Sequence, residues 1–173
     1  MDGRDDRDAG AELEGDGDGV PDLDEGATQM RFMIIVKASE GSETGALPDE
    51  SMIARMAEFH EELARAGVLL DAAGLQPTAS GWRIRYSADG RTVVDGPFSE
   101  AKEIVGGYTL IQARSREEAL EWARRFPNPA GPGREAEIEV RPLAALDDLG
   151  EGPAIERFRA LDLPSQGPER TST

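Results

Sequence analysis

One acid stands out by its setting. In the stretch Thr92–Tyr108, TVVDGPFSEAKEIVGGY, two β-branched valines run into Asp95-Gly96-Pro97-Phe98. A strand that meets Gly-Pro has to stop, so the carboxylate of Asp95 is delivered to a rigid corner. With a raised pKa such an acid is a general base; ionised, it anchors a ligand cation or hydroxyl. Glu100 and Glu103 lie close in sequence and would raise that pKa, whereas Lys102 acts the other way. The plainer structural reading is an Asx turn, with Asp95 accepting backbone N–H groups ahead of it. Ser99 then caps a short turn through Glu-Ala-Lys-Glu, with Glu100 near its positive end.

Few other side chains offer chemistry. His60, the single histidine, lies on the flank of a helical apolar stripe, where it is either a general base or a partly buried or surface histidine. Asp95 and His60 are the candidate catalytic pair. Tyr108 follows Gly106-Gly107 and can direct its hydroxyl into a pocket, while the two glycines allow close backbone approach at a crowded strand start. Trp82 and Tyr86 read as inward-facing aromatics of a hairpin, in a core or an interface. Arg83 and Arg85 fall on its other face, either solvent-exposed or an anion site. Asp95, Phe98, Lys102, Tyr108 and Trp82 form the candidate ligand-binding set.

Composition excludes several classes. There is no cysteine, which removes disulfides, thiolate metal sites and a cysteine nucleophile. One histidine cannot build a histidine-rich metal site within one chain. No phosphate-cradling glycine loop and no Ser-His-Asp pattern is present, so no cofactor and no metal is expected. The net charge of −16 disfavours nucleic acid and anionic membranes as partners. No apolar run approaches the ~20 residues of a membrane span, and no leader signal opens the sequence. The expectation is a soluble, cytoplasmic protein.

Residues 1–29 hold eleven acids against two arginines and few large apolar side chains, which predicts a disordered acidic extension. Within it, EGDGDGVPDLDE matches the oxygen spacing of an EF-hand loop through Glu14, Asp16, Asp18, Asp22 and Glu25, with Gly19 at the turn. Glu at the first ligand position, Pro21 inside the loop and the helix-poor Gly-Ala-Thr-Gln-Met that follows argue for a solvated acidic tail instead. At the other end, residues 150–173 read as a tail whose AIERFRAL piece makes a short docked helix before unstructured residues.

Between these ends, residues 30–149 form one domain. RFMIIVKA is apolar on both faces, as in a central strand. A helix opens at Pro48-Asp49, carries Met52, Met56, Phe59 and Leu63 on one stripe, and ends at Gly67. VLLDAAGLQPT is a strand. GWRIRYS alternates, turns at SADG and returns as RTVV. GGYTLIQA is a further strand. Ser115 and Glu118 make a capping box for a helix to about Phe126, and EAEIEVRPL alternates again. The order β-α-β, hairpin, β-α-β predicts an α+β fold of ferredoxin-like plan, both helices on one sheet face. The other face stays apolar, which predicts a homodimer packed sheet to sheet.

MRFMIIVKA, AGVLLDAAGLQPT, VVDGPFSEAKEIVGGY and EEALEWARRFPNP with EIEVRPL resemble the YCII-related family, in the subgroup named for its Asp-Gly-Pro-Phe motif. The resemblance covers about residues 30–149. It implies a dimeric α/β barrel built from two ferredoxin-like βαββαβ subunits, here with an inserted hairpin, and pockets beside the interface. It also implies mostly bacterial proteins of unassigned activity, often linked with extracytoplasmic-function sigma factors. Better-understood relatives carry a histidine on the first helix and an aspartate before the proline after the second. Those positions fall near Met56 and at Phe126 here, so that pair does not carry over. Three functions follow in order: a small-ligand-binding or regulatory homodimer; a cofactor-free isomerase, lyase or hydrolase using Asp95 with His60 or Tyr108; and a partner-binding accessory protein whose acidic tails recruit something basic.

Overall fold

The computed structural model describes residues 29–98 and 103–161. The acidic loop Glu14–Glu25 lies outside them, as do Ser99, Glu100 and Lys102. Strand β1 (Met30–Lys37) is followed by a single helical turn, α1 (Glu40–Glu43), in a stretch that local composition reads as loop. Helix α2 (Glu50–Arg65) starts where Asp49 accepts the backbone N–H of Met52 at 2.8 Å. It stops at Gly67, whose φ of 67° suits a residue without Cβ. Strand β2 (Leu69–Gly74) leads through a 3-10 turn at Thr78–Ser80 into the hairpin of β3 (Trp82–Ser87) and β4 (Gly90–Asp95). Strand β5 (Val105–Ala113), helix α3 (Arg116–Arg124) and strand β6 (Ile138–Pro142) complete the body. A last helix, α4 (Pro153–Arg159), is tied by Arg159 to Asp147 at 2.6 Å in the 3-10 turn Leu146–Leu149.

The larger sheet has the order β2-β5-β1-β6, every neighbouring pair antiparallel. Its two faces differ because successive residues of a strand point opposite ways. Phe32 and Ile34 of β1 and Ile111 and Ala113 of β5 are buried against Phe59 and Leu63 of α2 and Ala119 of α3. Both helices therefore cover one face. The edge-on packing of Phe126 against Phe59, ring centroids 5.2 Å apart, extends that core beyond the end of α3. The opposite face carries Met33 and Ile35 beside Tyr108 and Leu110, all half-buried, between Asp71 on β2 and Glu139 and Arg141 on β6.

The expected dimeric α/β barrel, ferredoxin-like with an inserted hairpin, is corrected by the strand pairing. The fold is α+β with two small sheets: the four-stranded one, and β3 with β4 as a separate two-stranded one. Neither is closed into a barrel: among the described residues β2 and β6 pair on one side only and the hairpin pairs only with itself. Closing a sheet takes enough tilted strands to bring its rims together, about eight in the small barrels, and four cannot do so. A second correction concerns the hairpin. Its apolar face points away from the core rather than into it, with Trp82 65% and Tyr86 71% exposed. Alternation places a side chain on a face; it does not say which face the body covers.

Candidate functional site

The Asp-Gly-Pro-Phe corner is held from three directions. The Gly96 N–H donates to Gly81 O at 2.9 Å, continuing the hairpin ladder by one bond. The Phe98 N–H donates to Thr78 Oγ1 at 3.1 Å. The Thr78 hydroxyl in turn donates to Glu43 Oε2 at 2.5 Å, and the Thr78 N–H reaches the same carboxylate at 3.3 Å. Glu43 on α1, the 3-10 turn and the end of β4 are thus one hydrogen-bonded unit. Glycine is demanded at 96 by space: a Cβ there would sit 1.8 Å from Thr78 O.

Among the described residues this frame leaves the Asx turn read for Asp95 without a donor. Pro97 has no N–H to offer, and the N–H groups of Gly96 and Phe98 go to Gly81 and Thr78. The carboxylate of Asp95 is exposed and, among the described residues, has no hydrogen-bond or ion-pair partner. Cross-strand register sets it directly opposite Trp82, on the hairpin face that also carries Ile84, Val93, Tyr86 and Arg91. On the other face the Arg83 guanidinium lies 3.9 Å from the centroid of the Phe98 ring. Arg91 lies over Tyr86 at 5.1 Å.

His60 sits on the core side of the large sheet. Its Nδ1 is 2.7 Å from Met56 O, a carbonyl that only accepts, so Nδ1 carries a proton. Nε2 is 2.9 Å from the hydroxyl of Thr109, which is 2% exposed, and in the neutral ring it accepts from that hydroxyl. Both ring nitrogens are engaged: Nδ1 within α2, and Nε2 in the bond that joins α2 to β5. Tyr108 lies on the opposite face, away from α2 and α3. Its hydroxyl donates to Asp71 Oδ2 at 2.6 Å, and Asp71 Oδ1 accepts the N–H of Ala72 at 2.9 Å. The hydrogen bond to Asp71, reinforced by desolvation and by the negative charge, holds the Tyr108 phenol above its ordinary value of 10.0. It is a hydroxyl donor at neutral pH.

Among the described residues no hydrogen bond joins any two of Asp95, His60 and Tyr108, and Lys102 lies outside them. A cleft of about 150 Å³ between α3 and the β1–β6 rim, lined by Phe32, Leu120, Val140 and Arg116 among others, contains none of these residues. No cluster of three or more histidines and acids able to hold a metal ion occurs among the described residues. No helix there is long and apolar enough to cross a membrane. Sequence reasoning missed Glu43, Thr78, Asp71 and Thr109. Their partners lie 20 to 49 positions away, so no local spacing marks them.

The model of the YCII-related domain matches residues 30–144. An uncharacterized protein of Rhizobium meliloti (strain 1021) is 40% identical over 106 residues, 61% of this chain and 83% of that protein. The match begins at β1 and ends just past β6, taking in the whole four-stranded sheet, both covering helices and the hairpin with its Asp-Gly-Pro-Phe corner. This chain belongs to the YCII-related domain family.

Proposed function

We propose that the protein is a small-ligand-binding or regulatory homodimer in which Asp95 anchors the ligand. The observation that carries this reading is the contrast between a clamped corner and a carboxylate with no partner among the described residues. Orienting a charged group costs conformational entropy unless its backbone is fixed in advance. Here Thr78, Glu43 and Gly81 fix the backbone, and no group among the described residues takes the acid. The sheet face that α2 and α3 leave uncovered, with Met33, Ile35 and Leu110, supports the homodimer: apolar surface of this kind gains by leaving water.

The test is a thermal-shift screen of small polar metabolites against wild type and Asp95→Asn. A ligand that binds only the folded form raises the melting temperature with concentration. Ligands that stabilise wild type and leave Asp95→Asn unmoved support the anchor. Ligands that shift both equally reject it.

A second reading, a cofactor-free isomerase, lyase or hydrolase, draws on Tyr108. A phenol kept protonated beside Asp71 is a proton donor, and Asp95 would serve as the base. It requires turnover of a screened ligand that Asp95→Asn and Tyr108→Phe each abolish while binding persists in Tyr108→Phe.

A further inference from the structure

We infer that the exposed face of the β3–β4 hairpin binds an organic ammonium ion with an apolar or aromatic body, its charge held between Asp95 and Trp82. The inference rests on the reading of Asp95 as anchor and names the chemistry it recognises.

Three features of the hairpin converge on this class. First, Trp82 and Asp95 are directly paired across the strands, which puts their Cβ atoms about 4.5–5.5 Å apart on one face. A carboxylate beside an indole is the donor set that recognises amines, through charge on one side and the negative ring face on the other. Secondly, the aromatic rings around this unit already take cations: Arg83 lies over Phe98 and Arg91 over Tyr86. Among the described residues Trp82 has no such cation, although its ring is the strongest of the three for this contact. Thirdly, the charges are sorted. Arg83 and Arg85 project from the opposite face, and Arg91, two places along β4 from Val93, is placed on Tyr86 at the far end. Asp95 is therefore not neutralised from within its own face. Ile84 and Val93, paired next to Trp82, supply the apolar bed on which the body of the ligand lies.

The experiment uses the full ¹⁵N-labelled chain and three probes of one shape: phenethylammonium, phenethyl alcohol and phenylpropionate. The Trp82 indole N–H, one of two in the sequence and assigned with Trp122→Phe, reports the site. Phenethylammonium is expected to shift that signal saturably, with the anion at least tenfold weaker. Asp95→Asn should weaken the ammonium at least fivefold, and Asp95→Glu should restore most of the loss. Trp82→Leu should weaken it similarly, read at the Ile84 and Val93 amides; an otherwise unchanged spectrum verifies the fold of each variant. If the alcohol binds as well as the ammonium and both need Asp95, the anchor stands and the ammonium inference fails. If Asp95→Asn leaves ammonium binding unchanged, both fail. No saturable shift at Trp82 with any probe overturns the inference while the metabolite screen still decides the anchor.

Discussion

Gly96 and Tyr108 show how much of this site is decided atom by atom. Because a Cβ at position 96 would overlap Thr78 O at 1.8 Å, Gly96→Ala has to push the 3-10 turn away from the corner. Urea unfolding should show a loss of about 3 kcal/mol or more, well above an ordinary surface change. A midpoint like that of wild type would mean the corner is not clamped as described. At Tyr108 the hydrogen bond to Asp71 favours the neutral phenol in the folded chain. Its stabilising contribution is complete below the ordinary value of 10.0 and is lost as pH rises through the higher folded value. In a Tyr86→Phe background, phenolate absorbance should titrate with a midpoint above 10.0, and Asp71→Ala should bring the midpoint down. These pairings were invisible in the sequence because each joins strands or turns far apart along it. What the sequence did show was that β4 stops at a corner, since Gly-Pro after a run of β-branched residues is a local signal. It gave no hint that Thr78, unremarkable after Pro77, holds the corner.

At the scale of elements, local rules governed the helices well and the hairpin less well. Asp49 caps α2 and Ser115 caps α3, the latter accepting the Glu118 N–H at 3.2 Å while Glu118 accepts the Arg114 N–H at 2.8 Å. Both sides of a cap lie within one turn, so spacing reveals them. Of the stripe Met52, Met56, Phe59 and Leu63, three are buried and Met56 is half-buried, because one period defines one face. The side-chain bond from Arg114, with the Arg114 backbone N–H second, holds the Glu118 carboxyl below its usual 4.5. That contribution is present above 4.5 and is lost as pH falls through the lower folded value. Glu118→Gln should therefore flatten the acid limb of a stability–pH curve measured by denaturant melts; an unchanged slope would place the pH dependence elsewhere. The hairpin obeyed its turn chemistry, with Gly90 at φ 132° closing the β3–β4 connection. Its apolar side was misjudged because an alternating strand carries no label for where the core lies. α1 was missed since four residues offer no period to read.

For the whole molecule, the α+β order of elements was legible, and the open four-stranded sheet with a detached hairpin was not, because rim pairing joins segments far apart in sequence and leaves no local pattern. Association between two copies is the expected use of the sheet face that α2 and α3 leave uncovered. Light scattering should give twice the chain mass at micromolar concentration. Ile35→Asp, which puts a charge amid Met33, Tyr108 and Leu110, should return a folded single chain, since an unpaired charge on a covered face is costly. A single-chain mass for the wild type would reject the homodimer.

An unclosed sheet also has two rims of backbone amides that invite foreign strands and, in the worst case, fibrils. The protein blunts both. On β2 the regular pairing slips between Leu69 and Asp71, so that rim offers no long straight run. β6 is five residues long and closes on Pro142, whose nitrogen has no hydrogen to give. Lengthening or straightening either rim is where this fold would begin to polymerise.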